Sequence, residues 1–395
     1  MRYISSDIVF PGSSLPVIDG VLVIDEAGKI AHLLDPSKEE IPESWQVEKY
    51  SGFLCPGFIN AHCHLELSHL RNRLSRGKGL PHFISEIISA REAGEEYIVE
   101  AVSRADEEMT KEGIVAVGDI ANTSSTIPLK RKSGIFYHTF IELFDVSPER
   151  TAGVYEAGRV LSRKYEEAGL HASLAAHAPY SVTSELLRMI SQGILQADRF
   201  TCIHNQETES ENTMFANGAG ALLDKLKRVN PVYNSWKATG RNSLASWIEN
   251  FDPDAPVQLV HNTYTSAEDL SLAKQKLKHS YWCLCPNANY FIEARLPDIL
   301  LLQNENCALT IGTDSLASND ALSILSELKR IQSEFPSIEI QDLFIWSSLN
   351  GARFLRVDDR FGSFESGKSP GINLIHDVDI HNRKLKETSR VERLF

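Results

Sequence analysis

With 395 residues, 42% of them apolar and 24% charged, the chain has a globular composition and ample length for a sizeable core. Its formal charge of −13 and lack of any basic run argue against a nucleic-acid or anionic-membrane partner. No apolar stretch approaches the ~20 residues of a membrane helix, and six scattered cysteines without a C-x-x-C suggest neither a disulfide framework nor a zinc ribbon, so a soluble protein of the reducing cytoplasm is expected.

The first residues, MRYISSDIVF, carry Asp7 and no long apolar core, so no signal peptide is expected. Up to about residue 50, runs such as VIDGVLVIDEAGKIAHLL mix β-branched and turn residues and predict antiparallel strands. The far segment FGSFESGKSPGINLIHDVDI has the same texture. Together they predict a small β-sandwich domain built from residues 1–52 and 360–395.

Residues 53–359 read differently. Short apolar runs recur: FLCPGFINAHCH, GIVAVGDI, GIFYHTFIEL, HASLAAHAPYS, RFTCIHNQE, VQLVHNTYT, YWCLCPNAN and CALTIGTDS. Amphipathic segments at 82–112, 148–168, 183–196, 267–277 and 321–333 predict helices between them. The longer stretch 208–250 predicts extra helices over one end, and CPNANYFIEARLP predicts a loop over a pocket. Eight strands alternating with helices predict an α/β fold, a TIM-like (β/α)8 barrel.

Polar residues recur at the ends of these runs: His62, His64, Asp119, Glu142, His177, His204, His261, Asn287 and Asp314. Active sites of such barrels form at that end. Side chains alternate along a strand, so His62 and His64 face one way and Cys63 the other. His62, His64, His204 and Asp314 make a three-nitrogen, one-carboxylate set suited to one divalent ion, Zn²⁺ foremost and Fe²⁺ as the alternative. Glu209 and Glu211 read as charges at a helix start, Ser318 or Asn319 as the cap of the helix that follows in a segment whose place just after Asp314 also allows site-building, and Asp119 as a support near the metal shell. His69 and His82 read as surface or lid residues.

In this order, PGFINAHCH, HAPYSVT, IHNQETESE, LVHNTYT, CPNAN and TIGTDSLASND resemble the amidohydrolase superfamily, in its cytosine, adenosine and S-adenosylhomocysteine deaminase and chlorohydrolase branch. The resemblance implies the metal set just given, with Glu207 as acid-base on a ring nitrogen. It also implies that His261 polarises the attacked carbon's substituents, that Asp314 acts as ligand and base, and that His177 contacts the substrate. No lysine ends the fourth run, where binuclear relatives carry a carbamylated bridge, so one ion is expected. Glu66, directly after HCHL, is similar to aminodeoxyfutalosine deaminases, which act on an adenine-bearing intermediate of an alternative menaquinone pathway. Glu66 is therefore a further substrate-binding candidate, Arg71, Arg73 and Arg76 are candidates for the family's arginines to a substrate carboxylate, and the CPNANYFIEARLP loop would bring Asn287, Phe291 or Arg295 near the substrate.

A bound ion lowers the pKa of its water to roughly 7, and a positioned acid adds about 10²- to 10⁴-fold. The expected activity is hydrolytic release of ammonia from an adenine-type nucleoside such as aminodeoxyfutalosine or an S-adenosylhomocysteine-like compound. Two alternatives stand beside it: a chlorohydrolase or amidase acting on a triazine- or amide-like substrate, and a non-enzymatic barrel paralogue. The completeness of the ligand and acid-base set speaks against the paralogue. The zinc cytidine deaminase signature, H-x-E with P-C-x-x-C, is absent. A homodimer is implied by the resemblance alone.

Overall fold

The eight apolar runs form parallel strands in the computed structural model, which describes residues 1–395. Phe58–Cys63, Ile114–Ala121, Phe136–Leu143 and His171–Ala176 pair in chain order as one four-stranded sheet. Thr201–Asn205, Val257–His261, Ser280–Leu284 and Leu309–Ile311 make a second in the same way. Buried on both faces, these strands are near-continuous apolar runs, as parallel strands covered by helices must be.

The two sheets meet at both edges. His204 N donates to His177 O at 3.0 Å on one side, and Thr313 N and Asp314 N donate to His62 O at 3.0 and 3.1 Å on the other. Alternation sorts the side chains. On the third strand Phe140 packs in the inner cluster with Ala175, Cys202 and Val260, while Leu143 joins the outer cluster beneath the helices. Inside, Gln258 spans three strands, donating to Ala61 O and accepting from Thr310 Oγ1.

The termini build a seven-stranded sheet whose order runs Arg390–Arg393, Ile372–His376, Val47–Pro56, Arg2–Val9, Val21–Ile24 and Ile30–Leu34, with Val17–Ile18 against Arg2–Val9. The strands hydrogen-bond into one continuous sheet, not the two separate sheets of a sandwich. Arg2–Val9 and Val47–Pro56 pair in parallel, so the sheet is mixed instead of purely antiparallel. Val47–Pro56 also carries the terminal sheet past residue 52, because residues 53–56 pair with Ile372–His376.

The predicted helices form as Leu80–Ala90 and Glu95–Lys111, Thr151–Glu167, Ser184–Gln196, Ala267–Lys276 and Ile324–Glu334. The first segment is split by residues 91–94, where Gly94 stands. Between 208 and 250 lie Glu209–Asn217, Ala221–Val229 and Ser243–Trp247. The segment predicted as a loop after Cys285 is a helix, Pro286–Glu293. Pro286 at its first position is preset for a helix start, and Ala294 ends it in the left-handed conformation. Above the strand ends, Leu70, Leu80, Tyr180, Met214, Tyr233 and Phe291 pack into one apolar cluster. No helix is long and apolar enough to cross a membrane.

Candidate metal centre

His62 and His64 emerge where the pairing of the first and second strands shifts register between Asn60 and Cys63, an irregularity of the kind that re-aims side chains. His204 shares the inner face of the fifth strand with Cys202. On the sixth strand Val260 faces inward, so strict alternation would turn His261 outward. A φ of +74° at His261 breaks that alternation, and the buried ring lies with its centroid 5.3 Å from that of His204. Asp314 also takes a positive φ, +57°, as the chain leaves the eighth strand. Two non-glycine residues held in this sparsely populated region mark a site whose surroundings over-determine it.

His64 Nε2 lies 3.1 Å from His62 Nε2 and 3.3 Å from His204 Nε2. Asp314 Oδ1 lies 3.4 Å from His64 Nε2 and 3.7 Å from His62 Nε2. His204 Nδ1 donates to His177 O at 2.6 Å, which leaves the lone pair of Nε2 facing the cluster. Burial lowers the pKa of His62, and that of His64 to about 4, so both rings are neutral. Although burial alone would raise Asp314, the His62 ring 3.7 Å away and the neighbouring His64 and His261 hold it well below the ordinary carboxylate range.

Three converging imidazole nitrogens cannot all satisfy one another by hydrogen bonding, but a cation among them satisfies all at once. Ligands about 2.0–2.1 Å from zinc stand about 3.3 Å apart at the corners of a tetrahedron, close to the spacings observed. The donor set therefore fits a divalent ion.

Around this core, Glu207 Oε1 faces His261 Nε2 at 3.8 Å. Burial raises the Glu207 carboxyl well above its usual range, reinforced by the charges of Asp314, Glu211 and Glu293. His177 Nδ1 is bonded to Ser181 Oγ at 2.7 Å, leaving its Nε2 for a ligand.

Two candidates are not brought to the cluster. Glu66 accepts hydrogen bonds from Asn122 N, Thr123 N and Thr123 Oγ1, which tie it to the turn after the second strand. Asn287 spends its amide on Ser326, Glu327 and Arg330. His69 is buried between Glu66 O and Arg91 O, whereas His82 is half-exposed beside Glu86. Arg71, Arg73 and Arg76 engage Glu108, Tyr97 and Asp320 respectively.

The sequence pattern of the amidohydrolase family matches residues 53–392. The chain belongs to that family. Adenosine deaminase of Helicobacter pylori is 25% identical over 325 residues, covering 81% of this chain and 78% of the relative. Aminodeoxyfutalosine deaminase of Deinococcus radiodurans is 24% identical over 351 residues, covering 86% and 82%. Among solved structures, Helicobacter pylori aminofutalosine deaminase in complex with methylthio-coformycin shares the fold with a TM-score of 0.81, at 21% identity over 98% of this chain and 94% of that one. An adenosine deaminase from Xanthomonas campestris with bound zinc gives 0.75, at 19% identity over 98% and 87%.

This amidohydrolase also carries supports around the cluster. Ser318 caps no helix; its hydroxyl donates to Asp314 Oδ2 at 2.6 Å, and Ser323 caps Ile324–Glu334 instead. Glu211 is no solvated charge: buried, it accepts from the backbone N–H groups of Gln206 and Glu207 and so fixes the turn that presents the Glu207 side chain. Beneath His64, Asp119 accepts from Leu65 N at 2.8 Å and pairs with the fully buried Lys130 at 2.6 Å. Asp119 stood at a strand end in the sequence, but Lys130, on the short helix Ile127–Lys130, carried no motif to betray it.

Proposed function

We propose that the protein is a metal-dependent hydrolytic deaminase of adenine-type nucleosides, with one zinc ion held by His62, His64, His204 and Asp314. The observation that carries this reading is the convergence of three histidine nitrogens and a carboxylate beside a buried glutamic acid. The names of two relatives, an adenosine deaminase and an aminodeoxyfutalosine deaminase, support the substrate class. We also read the two parallel sheets as one closed (β/α)8 barrel, from the hydrogen bonds at both seams, and the terminal sheet as a separate small domain. The free state of all six cysteines agrees with a cytoplasmic setting.

Bound there, the ion would supply Lewis acidity and a water of lowered pKa. The rest falls to the chain. Asp314, ionised and oriented through Oδ2 by Ser318, accepts the proton of the attacking water and returns it to the departing amine. Glu207, kept protonated by burial, gives its proton to the ring nitrogen next to the attacked carbon, so negative charge does not accumulate on the ring. His261 Nε2 faces both the cluster and Glu207 and is placed to polarise the substituent of the reacting carbon. As the amine leaves, the hydroxyl proton of the tetrahedral adduct passes to Glu207, which restores its acid form, and the products are a lactam-like carbonyl and ammonia.

The test is release of ammonia, chloride or alkylamine across aminodeoxyfutalosine, S-adenosylhomocysteine, adenosine, guanine and a chlorotriazine with zinc-loaded protein. Ammonia from the adenine nucleosides is expected; chloride release alone would instead favour the chlorohydrolase alternative. Glu207→Gln should keep its metal and lose at least about a hundredfold in kcat. A near-normal rate would mean that the proton comes from elsewhere.

A further inference from the structure

A carboxylate that the mechanism does not use lies on the His177 side of the cluster. Glu142 ends the third strand, where His138, Phe140 and Glu142 share the inward face: His138 bonds Ser173 Oγ at 2.8 Å, Phe140 packs in the inner cluster, and Glu142 stands uppermost. The ladder sets Glu142 opposite Ala175, two residues before His177. One donor atom each of Glu142, His177 and His204 lie within 4.8 Å of one another.

The Glu142 side chain is 6% exposed, and its two oxygens differ. Oε2 accepts from Asn122 Nδ2 at 3.1 Å, whereas Oε1 is buried with no hydrogen-bond partner. His204 Nδ1, 3.9 Å away, is beyond hydrogen-bond reach and already donates to His177 O. That same proton bars His204 Nδ1 from binding a second cation with Glu142. A buried carboxylate oxygen without a donor is costly unless a ligand brings one.

The orientation of Glu142 is held from behind. Asn122 Nδ2 also donates to Glu142 O at 3.2 Å, and Asn122 N donates to Glu66 Oε2 at 3.1 Å. Glu66 thereby links the segment after His64 to the turn that aims Glu142. Two residues beyond, Phe144 is 52% exposed with its ring 6.2 Å from that of His177, an apolar surface on the same side of the cluster.

A carboxylate accepts hydrogen bonds and does not give them. In an adenine nucleoside the unsubstituted ring nitrogens also only accept, and the amino group sits on the carbon attacked at the metal cluster. The remaining donors are the sugar hydroxyls. We infer that Glu142 Oε1 accepts a hydrogen bond from a ribose hydroxyl, with Asn122 and Glu66 as positioning residues, so that Glu142 selects ribonucleosides over their deoxy analogues. This rests on the nucleoside deaminase reading above.

The experiment compares zinc-loaded wild type, Glu142→Gln and Glu142→Ala on adenosine, 2′-deoxyadenosine, 3′-deoxyadenosine and free adenine, with metal content measured in parallel. Wild type should favour adenosine over at least one deoxy analogue by about tenfold or more in kcat/KM. Both variants should collapse that ratio towards one, keep their metal and retain most of their rate on the disfavoured deoxy analogue. Asn122→Ala should move the ratio the same way by a smaller factor. An unchanged ratio, a uniform loss on every substrate, or a second metal equivalent that the variants lose would each overturn the inference alone. A wild type that deaminates adenine as fast as the nucleosides, or none of the four, would overturn the nucleoside reading and the inference with it.

Discussion

Glu207 is 6% exposed and its contact with His261, 3.8 Å away, is to a ring that burial keeps neutral, so burial decides its protonation. Its folded pKa stands well above the ordinary 4.5, which means the folded chain keeps this proton to a higher pH than the unfolded chain does. The resulting stability is fully present below about pH 4.5 and is lost as pH rises towards the folded value. Glu207→Gln keeps the shape without the titration. In chelator-treated protein its melting temperature should therefore exceed that of wild type by a margin that grows from pH 5 to pH 8; a margin constant with pH would contradict the assignment. Glu207 was legible because the H-x-x-E spacing ties it to His204. For Glu66 and Asn287 the sequence does not reveal where each side chain finds its hydrogen bonds. Both satisfy themselves locally, Glu66 on the backbone of residues 122–123 and Asn287 on the helix Ile324–Glu334.

At the scale of elements, the strand ends place the chemistry, and one close approach lies at Gly312. A Cβ there would fall 2.8 Å from His62 Cβ and 2.9 Å from both His62 O and Cys283 Sγ, so only glycine lets the eighth strand pass the first. Gly312→Ala should displace His62, lowering metal content and turnover while leaving far-ultraviolet circular dichroism near that of wild type. Full metal occupancy with a normal rate would show that the seam is looser than these distances say. All eight parallel strands were readable as apolar runs, since burial on both faces imposes that composition. The helix Pro286–Glu293 was not, because a proline and two asparagines within four residues resemble a turn, while its buried residues Ala288, Phe291 and Ile292 are what make it a helix. Nor does alternation foresee the positive φ at His261, a tertiary constraint that local preference opposes.

Across the whole molecule, the terminal sheet packs against a helix of the parallel-strand unit through aromatic side chains. The Phe10 ring lies 5.1 Å from Phe53 within the sheet and 5.0 Å from Phe344 on the helix Ile340–Ser347. Phe344 is 1% exposed, so Phe344→Ala should cost about 3–5 kcal/mol in denaturant unfolding while leaving metal content unchanged. A negligible cost would mean that the contact contributes little. That both termini form strands was legible from their β-branched texture. The mixed character of their sheet was not, because the parallel pairing of Arg2–Val9 with Val47–Pro56 joins segments with no local signal for each other.

The account depends on four distant residues holding one ion, and a zinc-edge anomalous difference map of crystals grown from zinc-loaded protein tests this most directly. One peak within about 2.0–2.2 Å of the Nε2 atoms of His62, His64 and His204 and of Asp314 Oδ1 is the predicted result. A peak that leaves His204 or Asp314 beyond bonding distance, or no peak among these residues, would contradict it.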